Sequence, residues 1–168
     1  MKTVRIKVYS FNELSEEAKS KAVEKLADIN NCVISFNYND AHETIKKFNE
    51  LFNLKEGNHS FLEYYDGYID DDILNLCNEP LNEYINSKID IDKYQDCLLT
   101  GHCYDISMLF NLKHADKNTT LKECFDNCFA SIKKTLQDEE DYLQSREAIE
   151  ETILANDYQF LIDGTMFN

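Results

Sequence analysis

An apolar stripe with a helical period runs through the C-terminal third of the chain and requires a surface to pack against. Its members recur at intervals of three or four positions: Leu121, Phe125, Cys128, Ile132 and Leu136. Because an α-helix has 3.6 residues per turn, this spacing puts all of them on one helix face, which must be buried. Thr120 and Glu123 stand before the stripe at capping-box spacing, so we predict that a long helix begins there.

Further helices are predicted from the same two signals, a cap and an apolar stripe. Ser15 should cap the first helix and Ser145 the last, while Asp40 and Glu43, at capping-box spacing, should open a second helix. The predicted buried faces are, in chain order, Ala18, Ala22, Leu26 and Ile29; Ala41, Ile45, Phe48 and Phe52; and Ala148, Ile149 and Ile153. Residues 73–89 are predicted to form one or two helices, divided near Pro80.

Alternation of apolar and polar residues, the pattern of a half-buried strand, occurs in three places. The runs are Val4 to Tyr9, Tyr104 to Leu112, and Tyr158 to Phe167, the last around an Asp163-Gly164 turn typical of a hairpin. Residues 61–65 are a further candidate strand, followed by a turn at 66–67. Because strands need a shared sheet to satisfy their backbone groups, we predict a small, mainly antiparallel sheet with the helices packed on one face.

The length of the chain suits one globular domain covering residues 1–168, of helix-rich α+β class. No apolar run approaches the ~20 residues of a membrane span, and the N-terminal residues do not resemble a signal peptide. We therefore expect a cytoplasmic protein without a membrane partner. Its six cysteines should then be reduced thiols, with Cys124 and Cys128 packed in the core.

Acidic residues are concentrated in two segments of a chain whose net charge is −15. Residues 56–116 hold thirteen acids and three lysines, and residues 138–151 hold seven acids and one arginine. Such a field repels nucleic-acid phosphates and steers association with basic proteins, so we do not expect direct binding of DNA or RNA. The acids either form solvated faces that maintain solubility or imitate phosphates and bind a basic groove. For the second interpretation the candidate residues are Asp70, Asp71, Asp72, Glu79, Glu83, Asp138, Glu139, Glu140 and Asp141.

The sequence contains no complete motif for catalysis or for a cofactor. It lacks a glycine-rich phosphate loop and a nucleophile elbow. Asp70, Asp71 and Asp72 could hold Mg²⁺, but three acids before an apolar run are more typical of a helix N-terminus. Cys97, His102 and Cys103 could be zinc ligands, or they could be buried strand residues. We predict no catalytic residue, no metal and no cofactor.

Three stretches, taken together, resemble a known family. They are Tyr9 to Leu26 (YSFNELSEEAKSKAVEKL), Gly101 to Asp105 (GHCYD) and Tyr142 to Gly164 (YLQSREAIEETILANDYQFLIDG). The family consists of small, mostly uncharacterised acidic proteins encoded by phages and prophages of low-GC bacteria. Its members carry tryptophans in the middle region, whereas this chain has no Trp. The resemblance implies a mobile element's small cytoplasmic protein, a class that includes anti-CRISPR and other anti-defence proteins.

Charge, the lack of catalytic motifs and the resemblance together favour a non-enzymatic inhibitor. We predict that it binds a host defence protein with a basic nucleic-acid-binding groove, such as a CRISPR effector, and competes with guide or target nucleic acid. One alternative is an antitoxin-like or scaffolding protein with a cognate binding partner. Another is a metal-dependent enzyme that uses His102 and Cys103.

Overall fold

A computed structural model describes residues 5–56, 64–65 and 70–167 of the chain. Its helices are α1 (Glu16–Lys25), α2 (Asn31–Phe52), α3 (Asp71–Leu74), α4 (Asn78–Lys88), α5 (Tyr104–Lys113), α6 (Leu121–Leu143) and α7 (Arg146–Ala155), with 3-10 segments at Phe11–Glu13 and Ile91–Asp96. Its strands are β1 (Tyr9–Ser10), β2 (Lys55–Glu56), β3 (Tyr64–Tyr65) and β4 (Gln159–Phe160). Most of the described residues lie in helices, which confirms the predicted helix-rich class with a small antiparallel sheet.

The chain divides into two compact units, Met1–Ser35 with Glu139–Asn168, and Phe36–Asp138. That residues 1–168 behave as one domain stays a prediction, as does the packing of the helices on one face of a shared sheet. Among the described residues, no helix combines the length and the apolar character that crossing a bilayer requires.

In the first unit, segments from near both ends of the chain share one core. β1 pairs antiparallel with β4, and Tyr9 lies opposite Phe160. The buried residues of this core are Phe11, Leu14, Ala18, Ala22, Ile149, Ile153 and Phe160. Ser15 Oγ accepts a hydrogen bond from the Ala18 backbone N–H, and Ser145 Oγ accepts one from Ala148, each at 3.2 Å. Both predicted helix caps are therefore confirmed.

The predicted Asp163-Gly164 turn is also confirmed. The backbone N–H of Leu161 donates to the carbonyl of Thr165 at 2.8 Å and closes the turn. Gly164 has a φ of +80°, and a Cβ atom at this position would lie 2.1 Å from the carbonyl oxygen of Ala18. Only glycine therefore allows the turn to lie directly against the backbone of α1.

The second unit is built around the apolar stripes of α2 and α6. Phe125 of α6 packs against Phe48 and Phe52 of α2, with ring centroids 5.6 and 5.1 Å apart. The predicted capping box is present, since Thr120 N–H donates to Glu123 Oε2 at 2.8 Å and Glu123 N–H donates to Thr120 Oγ1 at 3.2 Å. The residues of both predicted stripes are all buried: Ala41, Ile45, Phe48, Phe52, Leu121, Phe125, Cys128, Ile132 and Leu136.

The predicted strand from Tyr104 to Leu112 is wrong, because this segment forms helix α5. Its buried residues are Tyr104, Asp105, Met108, Leu109 and Leu112. These positions follow the helical period, while Phe110, a core residue of the predicted strand, is 47% exposed. The run is apolar at most positions, so it fits a period of two and a period of 3.6 almost equally well.

The other errors concern where elements begin and end. The predicted strand Val4 to Tyr9 is wrong over residues 5–8, which form no strand and leave Ile6 exposed. α2 begins at Asn31 instead of Asp40, and along that first part of the helix Ile34 and Tyr38 are only half-buried. These two residues continue the spacing of Ala41 and Ile45 toward the N-terminus, but the capping-box spacing of Asp40 and Glu43 placed the predicted start too late. α1 ends at Lys25, before the predicted Leu26 and Ile29.

The middle of the chain agrees in part with its prediction. Residues 73–89 lie in two helices, but the division falls at 75–77. Pro80 lies instead in the first turn of α4, where its missing N–H removes no hydrogen bond. Tyr64–Tyr65 forms strand β3, which pairs antiparallel with β2. The rest of the predicted 61–65 strand and the turn at 66–67 lie outside the described residues.

Candidate functional site

Five of the predicted partner-binding acids lie on two consecutive helices of the second unit. Asp70 caps α3, and its Oδ1 accepts a hydrogen bond from the backbone N–H of Asp72 at 3.2 Å. Asp71 and Asp72 follow in the first turn, where the helix dipole favours carboxylates. The three acids thus form a helix N-terminus, the alternative that the sequence favoured over a Mg²⁺ site. With Glu79 and Glu83 of α4 they form a set of exposed carboxylates that we call the α3–α4 acidic face.

This face points to solvent because its helices bury their apolar residues elsewhere. Leu74, Leu81 and Ile85 are buried in the core of the second unit. Glu79 and Glu83 are four residues apart on α4, so their Cβ atoms lie about 5–6 Å from each other on one side of the helix. From residue 70 to residue 88 the sequence contains one basic residue, Lys88. The charge of the acidic face is therefore hardly neutralised by its own helices.

The other four predicted acids occupy the last turns of α6. Asp138 belongs to the second unit and residues 139–141 to the first. Asp138 and Asp141 are exposed, but Glu139 and Glu140 are half-buried, and Glu140 accepts a 3.1 Å hydrogen bond from Gln144 Nε2. This group of carboxylates is accordingly less accessible than the α3–α4 acidic face.

A buried carboxylate that no sequence pattern singled out organises the loop before α5. Asp105 is fully buried, and its two oxygens accept five hydrogen bonds of 2.7–3.1 Å. The donors are the backbone N–H groups of Leu99, Thr100 and Gly101 and the hydroxyls of Thr44 and Thr100. Burial would raise the pKa of Asp105, but these hydrogen bonds outweigh it and hold the pKa below its ordinary value. The available signal was an acid within an apolar run, which needs donors once it is buried.

His102, in the same loop, lies between two carboxylates of α2. Its Nδ1 is 3.5 Å from Asp40 Oδ2, and its Nε2 is 3.5 Å from Glu43 Oε2. Asp40 and Glu43 therefore contact the loop instead of capping a helix, the role predicted for them. When protonated, the imidazole can form ion pairs with both acids. The arrangement connects the loop to α2, the helix whose Thr44 also donates to Asp105.

The three candidate zinc ligands do not form a ligand set. Within residues 5–56, 64–65 and 70–167, no group of three or more His, Cys, Asp or Glu side chains could hold a metal ion. Cys103 is exposed and Cys97 half-buried, so the alternative of buried strand residues is wrong as well. Burial, and then the negative charge of Asp105, raises the pKa of the Cys97 thiol. A raised pKa disfavours the thiolate that metal binding or nucleophilic attack requires.

Comparison with known proteins identifies no relative. No protein-family model matches the sequence. No curated protein and no solved structure matches it either. The resemblance to phage and prophage proteins therefore stays a prediction.

Proposed function

We propose that the protein is a non-enzymatic inhibitor that acts in the cytoplasm by binding a nucleic-acid-handling protein of a host defence system. Its binding surface is the α3–α4 acidic face, which competes with guide or target nucleic acid for a basic groove. A CRISPR effector is the kind of partner that the family resemblance implies. The observation that carries the proposal is the exposure of five carboxylates on consecutive helices whose only basic residue is Lys88.

The physical basis of the competition is charge. A nucleic-acid strand presents one negative charge per ~3.4 Å along a duplex axis, and its binding proteins neutralise that charge with Lys and Arg. Exposed carboxylates on two consecutive helices are attracted to the same Lys and Arg side chains. Such attraction mainly accelerates association and weakens as salt screens it. The inhibitor and the nucleic acid therefore exclude each other from the groove.

The polar groups of the loop before α5 support a structural role for that loop, in agreement with a binding function. Both oxygens of Asp105 accept hydrogen bonds from within the protein. Both ring nitrogens of His102 face carboxylates of the same unit. These groups hold the loop against α2, and the α3–α4 acidic face supplies the recognition.

The proposal is tested by immobilising the protein and two charge-reversal variants and exposing them to lysate of a bacterium that carries a CRISPR system. The test variant is Glu79→Lys/Glu83→Lys, and the control is Glu17→Lys/Glu24→Lys, which changes the net charge equally at exposed positions of α1. We expect the wild type and the control to retain a nucleic-acid-binding protein that added DNA or RNA displaces. The test variant should retain it about tenfold less.

Two outcomes contradict the proposal. One is retention that neither the test variant nor raised salt reduces, because a surface that mimics phosphate must respond to both. The other is retention of a single small protein without nucleic-acid-binding activity, which would favour the antitoxin-like alternative.

A further inference from the structure

Two adjoining clefts of the second unit form a polar groove that begins at α4 and continues to α6. The first cleft, of about 370 Å³, lies between α4 and the connection from α5 to α6. The second, a shallow and open depression of about 520 Å³, follows that connection onto α6, and the two share Asp116 and Lys117. We call this groove the asparagine groove. Its polar lining includes the side chains of Asn78, Glu79, Asn82, Asp116, Asn118 and Asn127.

Four carboxamides line this groove, and they suit the backbone of a peptide. One N–H of the Asn78 amide already donates to Cys77 Sγ at 3.2 Å, which leaves its second N–H and its oxygen for a ligand. Each carboxamide has an N–H₂ donor and a C=O acceptor, and each peptide group of an extended chain presents the complementary N–H and C=O. The first cleft also contains Leu81 and Ala115, which pack with the core. An apolar floor of this kind can contact the aliphatic stem of a long basic side chain.

The charges of the groove favour a cationic ligand. Glu79, Asp116 and Glu123 line it, against one base, Lys117. Oε2 of Glu123 accepts hydrogen bonds from the backbone N–H and the hydroxyl of Thr120, and these hydrogen bonds lower the pKa of its carboxyl group. Carboxylates bind guanidinium groups through paired hydrogen bonds, which an ammonium group cannot match.

We propose that the asparagine groove binds an extended, arginine-containing segment of the partner protein. The Asn carboxamides hydrogen-bond to the backbone of the segment, and Glu79 and Asp116 bind its guanidinium groups. This inference rests on the proposed function in taking a basic protein as the partner, and Glu79 belongs to both surfaces. The groove supplies what the acidic face lacks, namely groups that recognise a peptide backbone in addition to charge.

The test is a titration of the full ¹⁵N-labelled chain with the peptide acetyl-Gly-Arg-Gly-Arg-Gly-amide at low salt. Carboxamide N–H₂ signals report directly on Asn78, Asn82, Asn118 and Asn127. We expect these signals to shift and to approach saturation by about 10 mM peptide. The signal of Asn39, exposed on α2 outside the groove, should stay in place. A matched peptide with citrulline in place of arginine should bind about fivefold more weakly, since it keeps the shape and loses the charge.

Variants distinguish the groove from the acidic face. Asp116→Asn should weaken peptide binding about threefold, whereas Glu83→Gln, on the acidic face but outside the groove, should leave it nearly unchanged. Absence of carboxamide shifts, or equal shifts with the citrulline peptide, overturns the groove proposal. If the peptide fails this test but Glu79→Lys/Glu83→Lys still loses partner capture, the groove proposal is wrong and the proposed function stands. If the peptide binds as expected and capture is unaffected by Glu79→Lys/Glu83→Lys, the proposed function fails, and the groove remains a site for arginine-containing peptides but not for the captured partner.

Discussion

The hydroxyl of Thr44 in α2 donates a 2.8 Å hydrogen bond to the carboxylate of Asp105 in α5, across 61 positions of sequence. The same carboxylate accepts the backbone N–H groups of the loop that precedes α5. A single buried acid thereby joins a loop and two helices. Such a group stabilises the fold only while its donors are in place, because an unpaired buried charge is costly.

Replacing Asp105 by Asn should destabilise the protein by about 3 kcal/mol, measured by denaturant unfolding. The carboxamide keeps the size of the side chain, but it loses the charge and turns an N–H₂ group toward donors. Thr44→Val removes one hydrogen bond to the carboxylate and should cost about 1.5 kcal/mol. Equal losses in the two variants would show that Asp105 does not act as the centre of the network.

The contribution of Asp105 should also depend on pH. Its pKa is held below the ordinary value in the folded protein, so its stabilisation is present above the unfolded pKa of about 3.9. It is lost as the pH falls through the folded pKa. The difference in unfolding free energy between wild type and Asp105→Asn should therefore be constant near neutrality and shrink below about pH 4. A difference that stays constant down to pH 2 would contradict a depressed pKa.

Asn49, in contrast to Asp105, should lower the stability of the folded protein. It is only 7% exposed, and its Oδ1 atom finds no hydrogen-bond donor in the described part of the chain. A buried acceptor without a donor costs about 1–3 kcal/mol, which an apolar side chain of similar size avoids. We expect Asn49→Leu to raise the free energy of unfolding by about 1 kcal/mol. A loss of stability would show that Oδ1 is satisfied in solution by a bound water or ligand.

The end of the chain offers a matched pair of substitutions. Phe160 is fully buried in the first unit, whereas Ile162, two residues later, is 72% exposed. Phe160→Ala should cost about 3–5 kcal/mol, because it leaves a cavity among core residues. Ile162→Ala should change stability by less than about 0.5 kcal/mol. Thermal and denaturant unfolding compare the two, and similar effects would mean that β4 is peripheral.

Two glycines with positive φ form a second matched pair. Gly164 has no room for a Cβ atom, whereas a Cβ atom at Gly101, whose φ is +88°, would meet nothing within 4 Å. Gly101→Ala should cost about 1–2 kcal/mol from backbone conformation alone. Gly164→Ala adds a collision with the backbone of α1 and should cost at least about 3 kcal/mol. Unfolding in denaturant measures both, and equal costs would place the turn away from α1.

The cysteines should differ strongly in reactivity. Cys32 and Cys103 are exposed, while Cys124 and Cys128 are buried in α6. Burial, with a smaller effect of the Glu123 charge, raises the pKa of Cys124 to about 11. Timed alkylation of the native protein, read by peptide mass spectrometry, should modify the exposed pair at least about 100-fold faster than the buried pair. Rapid modification of Cys124 would show that the α6 stripe opens in the native state.

The sequence alone was sufficient to predict a helix where the signals for its cap and for its buried face are both local. Thr120 with Glu123 and the stripe to Leu136 predicted the start and the packed face of α6, and Ser15 and Ser145 predicted the starts of α1 and α7. A capping side chain bonds to a backbone group three residues away, and a stripe repeats within a few turns. Neither signal depends on how distant parts of the chain meet. The acidic segments, too, can be read from composition, although composition does not reveal which carboxylates are exposed.

Only the tertiary structure determined the conformation of segments whose partners lie far away in sequence. Tyr104 to Leu112 is apolar enough for a strand or a helix, and the helix forms around an acid that bonds to Thr44, 61 positions earlier. The first strand is confined to Tyr9–Ser10 because that is where β4, from the other end of the chain, pairs with it. The asparagine groove likewise combines α4 with residues that follow α5. Local sequence encodes which conformations a segment can adopt, but long-range hydrogen bonds and burial select one of them.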